Sequence, residues 1–228
     1  RLQRLTEQVS ADTLLELSKD EVLTGKIVLL AEALEAEAEP QPEAAVAEAL
    51  RGFWRLAFTN GTVAAGLTGY GSLPFCYVSG LFSAFTEKEP TAQVVEVVAD
   101  RNLGGSNVAA LKGEWEVLPA EGRGMCTVSA TYSRLEYAGS RQTADVTRVA
   151  EACTFLGDEL RVGWCNGAVM VWQRSDPASA QREIARLMEL RVRRDDAGAP
   201  RDDLTAWERA DLERKGISGP DVDAGAVM

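Results

Sequence analysis

Histidine does not occur in this chain of 228 residues, so the side chain that most often acts as a general base or a metal ligand is missing. Serine and threonine are frequent, but without histidine none of them can be assigned a partner base. The adjacent carboxylates Asp158 and Glu159 fall in a predicted turn, which is typical of a solvated surface rather than of acid–base catalysis. We therefore expect a protein that is not an enzyme.

Closely spaced cysteine pairs are also missing. The four cysteines are scattered and none belongs to a C-x-x-C motif: Cys76, Cys126, Cys153 and Cys165. Because structural zinc sites use closely spaced ligands, we expect no metal site. The preferred interpretation is buried, reduced thiols, and a disulfide is the alternative.

Positive charge is scarce, since 24 Lys and Arg face 35 Asp and Glu and the formal net charge is −11. Phosphate binding requires a basic face, so this balance argues against nucleic acid as a partner. It also argues against simple electrostatic attachment to an anionic membrane. No apolar run approaches the roughly 20 residues of a spanning helix, and we expect no transmembrane segment.

The residues that are present divide the chain into three parts. Residues 1–50 are predicted to be helical, residues 51–174 to form a β-domain, and residues 175–228 to form a helical C-terminal extension. In the first part, apolar residues recur at helical spacing: Val22, Leu23, Ile27, Leu30 and Leu34. This helix is expected to end before Pro40 and Pro42, because proline cannot continue it.

The middle part is predicted to be a barrel. Strands are expected near residues 54–59, 75–85, 92–99, 107–118, 125–137, 144–156, 159–163 and 167–173. The clearest alternation runs from Cys126 to Ser133, where apolar and hydroxylated side chains take turns, as in a half-buried strand. The predicted fold class is mainly β (α+β): a closed or nearly closed antiparallel barrel of roughly eight strands, a size that can hold one small ligand.

The C-terminal extension is expected to begin as a helix at Asp176-Pro177, a capping residue followed by proline at the first helical position. A second short helix is predicted from Asp203 to Lys215. Leu204 and Trp207 are its candidate partner-docking residues, because buried aromatic side chains often anchor interfaces. This tail supports one hypothesis of function: a structural accessory subunit of a larger assembly, docked through its barrel and tail.

The stretch GFWRLAFTN, residues 52–60, opens the β-domain and carries a resemblance. Its Gly52-x-Trp54 resembles the G-x-W motif of lipocalin-type barrels, in which the tryptophan closes the barrel floor and a basic residue of the last strands often covers it. The longer stretch 47–60 resembles the start of the plastid lipid-associated protein family, also called fibrillins or plastoglobulins. The matching residues are Leu50, Gly52, Trp54, Leu56, Phe58 and Thr59.

Further motifs follow in the order of that family, over about residues 14–173. Leu34-Glu35 with Pro40 and Pro42 resembles its helical prelude, and residues 93–98 resemble its valine-rich strand. Residues 154–162, TFLGDELRV, resemble its closing signature. One departure is that Gly163-Trp164-Cys165 replaces the family's Arg-Gly pair, so the role of that second arginine does not carry over.

The resemblance implies a plastid protein with a lipocalin-like barrel, peripheral to the thylakoid or plastoglobule. It implies binding of a lipid, carotenoid or quinone, with no required cofactor and no catalytic residues. Expected partners are thylakoid or plastoglobule lipids, and photosystem or antenna proteins under the accessory-subunit hypothesis. The chain begins at Arg1, and we interpret it as a mature form whose targeting peptide has been removed.

Two sets of candidate residues follow. The barrel-closure set is Gly52, Trp54 and Arg161, and two positions for Arg161 stay open: over the Trp54 ring as a cation–π contact, or at the surface with Asp158 or Glu159. The candidate ligand-binding set lines the barrel: Phe75, Tyr77, Phe82, Phe85, Trp115, Tyr132 and Trp172. Core packing is the alternative for these aromatic residues, because a barrel interior is filled either by side chains or by a ligand.

Overall fold

The computed structural model describes residues 21–61, 67–70, 76–89, 91–100, 105–120, 122–137 and 140–196. Within this part the chain forms a closed antiparallel barrel of eight strands with three helices. The predicted mainly β, lipocalin-like barrel with flanking helices is therefore confirmed. Leu204, Trp207 and the predicted helix from Asp203 to Lys215 lie outside the described residues.

Each strand pairs with the next along the chain, and β8 closes on β1. The strands are β1 (Gly52–Thr59), β2 (Cys76–Phe85), β3 (Ala92–Asp100), β4 (Gly105–Pro119), β5 (Cys126–Tyr137), β6 (Ser140–Leu156), β7 (Leu160–Cys165) and β8 (Ala168–Ser175). Because neighbours are antiparallel, the odd-numbered strands begin, and the even-numbered strands end, at the same end of the barrel. We call this end, which carries Gly52 and Leu160, the floor.

The inner faces of the strands meet in one hydrophobic cluster. On β5, Cys126, Val128, Ala130 and Tyr132 are buried in this cluster, while the intervening hydroxylated residues are half-buried on the outer face. The predicted alternation of β5 is confirmed, and it follows from the two-residue period of a strand.

Helix α1 (Glu21–Glu37) packs on the outside of the barrel. Its fully buried residues Ile27 and Ala31 contact an outer cluster that includes Phe58 of β1 and Val171 of β8. Val22, which the sequence analysis placed on the buried stripe, is exposed instead. The helix ends at Glu37, before Pro40, as predicted.

Helix α2 (Glu43–Leu50) leads into β1 and covers the floor, since its residues Val46 and Leu50 belong to the interior cluster. This short helix therefore covers one end of the barrel. The opposite end carries the connection between Thr59 and Cys76.

Helix α3 (Pro177–Asp196) begins where the sequence predicts, because Asp176 Oδ1 accepts a hydrogen bond from the Ser179 backbone N–H at 2.9 Å. Ala180 and Leu187 of this helix are buried against the outer face of β2 and β3. Arg55 and Glu183 form an ion pair at 3.3 Å beside this contact. α3 thus covers the outer wall of the barrel at β2 and β3.

Gly113 is required where the backbone of β5 comes close to β4. The β4–β5 register shifts between Lys112 and Gly113, and a Cβ atom at Gly113 would lie 1.9 Å from the Thr131 carbonyl oxygen. We predict that Gly113→Ala lowers the free energy of unfolding by about 1–3 kcal/mol, because the backbone must shift. Urea denaturation measures this loss, with Gly105→Ala in the same strand as the control. A Cβ atom there meets no described atom within 4 Å, and an equal loss in both variants would contradict the prediction.

Candidate ligand-binding site in the barrel interior

Trp54 closes the floor of the barrel. Its side chain is fully buried, and its indole Nε1–H donates a hydrogen bond of 2.8 Å to the Leu50 carbonyl oxygen at the end of α2. The ring belongs to the same interior cluster as Leu50 and Val46. The predicted position of Trp54 at the floor is therefore confirmed, and the hydrogen bond connects the floor helix to the first strand.

The basic residue nearest to Trp54 is Arg174, which the sequence analysis did not identify. Its guanidinium carbon lies 4.3 Å from the centroid of the Trp54 ring, and β8 places it directly opposite Trp54. The guanidinium also donates hydrogen bonds to the carbonyl oxygens of Arg51, at 2.8 Å, and of Ala49 and Asp158. Arg174 thereby joins α2 to the turn before β7, and it covers the floor from outside.

Gly52 makes this closure possible. Its φ angle is +119°, and a Cβ atom at this position would lie 3.1 Å from Arg174 Nη1. A larger residue would be strained in this left-handed region and would press on the guanidinium. The predicted role of Gly52 in barrel closure thus has two physical reasons.

Arg161 lies inside the barrel, where only 1% of it is exposed. Its guanidinium carbon is 5.4 Å from the ring centroids of Trp54 and Phe85 and 4.6 Å from that of Trp172. The predicted cation–π contact with Trp54 is confirmed. The alternative, surface pairing with Asp158 or Glu159, is wrong.

The strand register explains this position of Arg161. Its Cα partners are Leu156 on β6 and Trp172 on β8, and both of these side chains belong to the interior cluster. Because directly paired residues point to the same face of a sheet, Arg161 must point inward as well. Asp158 and Glu159 are exposed in the preceding turn.

Glu151 provides the counter-charge of Arg161 and is only 7% exposed. Arg161 Nε lies 3.4 Å from Glu151 Oε1, and Nη2 donates to Oε2 at 3.4 Å. A Cβ atom at Gly163 would lie 2.0 Å from Oε1, so the absence of a side chain there makes room for the carboxylate. Burial raises the pKa of Glu151, and the positive charge of Arg161 opposes this rise.

Two cysteine thiols and one phenol lie near enough to the ion pair for the charges of Arg161 and Glu151 to affect their pKa values. Cys126 and Cys153 are fully buried and directly opposite each other on β5 and β6. Their thiol–thiol hydrogen bond lowers the pKa of Cys126 and raises that of Cys153. Burial raises the pKa of Tyr132, so its phenol keeps the proton at neutral pH. None of the four cysteines is in a disulfide, as predicted, although Cys76 is only half-buried.

The predicted lining residues divide into three groups. Phe85, Tyr132 and Trp172 belong to the interior cluster, and the half-buried Trp115 packs against it with its ring 4.8 Å from that of Phe85. Phe82 was predicted wrongly, because it lies on the outer face beneath α3. Tyr77 was predicted wrongly too, since it precedes the inward-facing Val78 and therefore points outward. Phe75 lies outside the described residues.

A second buried carboxylate, Glu96, faces the interior from β3. Its Cα partners are Leu81 and Ala109, both on the inner wall. Glu96 Oε1 accepts a hydrogen bond of 3.2 Å from the Thr68 backbone N–H, and Oε2 accepts one from the Thr68 hydroxyl. Burial raises the pKa of Glu96, and the Thr68 hydrogen bonds oppose this rise. Glu96 thus holds residues 67–70 at the end opposite the floor.

The sequence contains a signal for one of the missed residues but not for the other two. Glu151 shares the two-residue period of Val149 and Cys153, so it stands on the inner face of an otherwise apolar row. Glu96 gives no such signal, because both faces of β3 are rich in valine and alanine. Arg161 and Arg174 each lie one residue from the floor end of a late strand, and sequence position alone does not decide which of them is nearer to Trp54.

No helix in the part of the chain that the structure describes is long and apolar enough to cross a membrane. Among the same residues, no group of three or more Cys, Asp or Glu side chains is arranged to hold a metal ion.

Comparison with protein-family models, with curated proteins and with solved structures gives no match to this chain. The resemblance to the plastid lipid-associated family therefore stays a prediction. The function has to be argued from the barrel and its interior.

Proposed function

We propose that this chain is a non-enzymatic, lipid-associated protein of the plastid that binds one hydrophobic ligand inside its barrel. The ligand class is a lipid, a carotenoid or a quinone, taken up at the surface of the thylakoid or plastoglobule. The plastid setting and the ligand class rest on the motif resemblance around Gly52-x-Trp54. The proposal that the chain binds a ligand rests on the structure of the barrel.

The observation that carries the proposal is the closed barrel with a built floor. The closed sheet has eight strands, a number for which the interior is filled either by side chains or by one small ligand. Trp54, Arg174 and α2 close one end, and Phe85, Tyr132 and Trp172 face the interior. An aromatic wall with few polar groups suits an acyl or isoprenoid chain. The accessory-subunit hypothesis depends on the tail with Leu204 and Trp207, which lies outside the described residues.

The test separates a ligand-filled interior from one that side chains fill. The purified full-length chain is incubated with membranes that contain plastid lipids and pigments, re-isolated, and extracted for mass spectrometry. We expect about one hydrophobic molecule per chain. Ala130→Phe, which adds a ring to the inner wall, should abolish this uptake at little cost in stability, because the ring occupies ligand space.

Thr131→Phe is the matched control, since the neighbouring residue on β5 points to the outer face. It should leave uptake unchanged. Absence of any co-purified lipid or pigment from the unmodified chain would contradict the proposal. So would an Ala130→Phe variant that loses about 1–3 kcal/mol while uptake persists, because overpacking of a filled core has that cost.

A further inference from the structure

The interior ion pair has more hydrogen-bonding capacity than its protein partners use. Nε and Nη1 of Arg161 have no hydrogen-bond partner among the described residues, and neither has Oε1 of Glu151. Both contacts within the pair are 3.4 Å long. A tight charge-assisted hydrogen bond measures roughly 2.7–2.9 Å, so the guanidinium is not saturated by the carboxylate.

A third unsatisfied group lies beside the pair. The Trp172 indole is close enough to Glu151 to lower the pKa of that carboxyl, but its Nε1–H makes no hydrogen bond of full geometry within the described part of the chain. Buried polar groups in folded proteins are normally hydrogen-bonded, because each unpaired group costs free energy. Several unpaired donors at one place in an apolar interior indicate that a further acceptor belongs there.

The aromatic rings around Arg161 do not replace such an acceptor. Trp54, Phe85 and Trp172 attract the cation through their ring faces, at 4.6–5.4 Å from the guanidinium carbon. That attraction stabilises the charge but gives Nε–H and Nη1–H no oxygen to bind. The rings also form flat apolar surfaces against which the chain next to a polar group can lie.

The charges already inside the barrel determine which kind of hydrogen-bond acceptor a ligand can bring to Arg161. Arg161 and Glu151 together are neutral when both are ionised, and Glu96 adds a further buried carboxylate to the interior wall. A ligand carboxylate would bring a second negative charge beside Glu151 in a desolvated interior, which is unfavourable. A carbonyl oxygen accepts hydrogen bonds without adding charge.

We propose that Arg161 and Glu151 form a polar subsite inside the barrel, which binds the carbonyl oxygen of a neutral hydrophobic ligand such as a fatty acyl ester or a long-chain ketone. The inference rests on the proposed function, that the barrel holds a hydrophobic ligand. Arg161 Nε and Nη1 donate to the carbonyl oxygen, and Glu151 holds the guanidinium in place. Because Arg161 lies one residue from the start of β7, at the floor, the ligand enters carbonyl end first.

The test uses two probes in competition. The full chain is incubated with phosphatidylcholine vesicles that contain equal amounts of methyl palmitate and heptadecane, and both probes are quantified in the re-isolated protein. The decisive variant replaces the whole pair, Arg161→Met with Glu151→Leu, so that no charge is left unpaired. We expect the ester-to-hydrocarbon ratio to be about tenfold higher in the unmodified chain than in this variant, because a hydrogen bond to a charged group is lost.

Arg123→Met is the matched control, since Arg123 stacks on Trp164 at 3.6 Å on the outside of the barrel. Its ratio should equal that of the unmodified chain. Arg161→Lys is the second variant in case the double variant does not fold. It keeps the charge but loses the planar set of donors, and its ratio should fall as well.

The results distinguish failure of the subsite proposal from failure of the proposal that the barrel binds a hydrophobic ligand. Equal ratios in the unmodified chain and the double variant would overturn the subsite and leave hydrophobic binding intact. Uptake of neither probe by the unmodified chain would overturn both. A third vesicle preparation with palmitate tests the charge argument, and preference for palmitate over methyl palmitate at neutral pH would overturn the neutral-carbonyl proposal.

Discussion

Glu151→Leu is expected to lower the free energy of unfolding by about 3–5 kcal/mol, because it leaves the Arg161 charge buried without a partner. Arg161 is only 1% exposed, so water does not solvate its charge in place of Glu151. The surrounding rings of Trp54, Phe85 and Trp172 offset part of this cost but supply no counter-charge. Urea denaturation of the purified variant measures the loss.

The double variant Arg161→Met with Glu151→Leu is expected to recover most of that stability. Replacing a buried ion pair by apolar residues of similar volume is often neutral or stabilising, because the desolvation cost of both charges disappears. The cycle of two single variants and the double variant therefore gives a large coupling energy between the residues. A loss below about 1 kcal/mol in Glu151→Leu would contradict a buried, ionised pair.

A control for this cycle is the pair of Lys112 and Glu136 on β4 and β5. Their ion pair is shorter, at 2.7 Å, but the side chains are 22% and 28% exposed. Lys112→Met is expected to cost about 1 kcal/mol or less, because solvent screens such a pair. The comparison shows whether burial or distance governs the cost of losing a partner.

The fold could be predicted from the sequence because its signals are local. The alternation from Cys126 to Ser133 and the turn residues between strands indicate a half-buried antiparallel sheet, and β5 follows that pattern. Asp176-Pro177 likewise predicts the start of α3 from neighbouring residues alone. Packing against the barrel was needed to decide that Val22 of α1 is exposed.

The site could be predicted only in part because its contacts depend on register. Arg161 and Glu151 meet because the β6–β7 pairing turns both inward, and sequence alone does not give that pairing. The errors at Phe82 and Tyr77 have two different causes. Tyr77 and Phe85 are eight residues apart and would share a face in a regular strand, but the register shift between Val78 and Gly80 turns Tyr77 outward. Phe82 and Phe85 are three residues apart in one strand, so a two-residue period allows only one of them to face the interior.

Trp54→Ala is expected to lower the free energy of unfolding by about 3–5 kcal/mol, because it removes the largest side chain from the floor. The variant also loses the hydrogen bond from Nε1–H to the Leu50 carbonyl oxygen and the ring that Arg174 covers. Thermal and urea denaturation measure the change. Trp164→Ala, at a half-buried tryptophan on the outer face, should cost less because less of its ring is buried, although it loses the contact with Arg123 and the hydrogen bond from Nε1–H to Glu35 Oε1.

Trp54→Phe separates the two contributions at the floor. Phenylalanine keeps an aromatic ring between α2 and the interior cluster but leaves the Leu50 carbonyl oxygen without its donor, at a cost of about 1–3 kcal/mol. We therefore expect stability to fall in the order wild type, Trp54→Phe, Trp54→Ala. An unchanged melting temperature in Trp54→Ala would contradict the floor assignment. Equal losses in both variants would instead mean that the hydrogen bond to α2, and not the ring, closes the barrel.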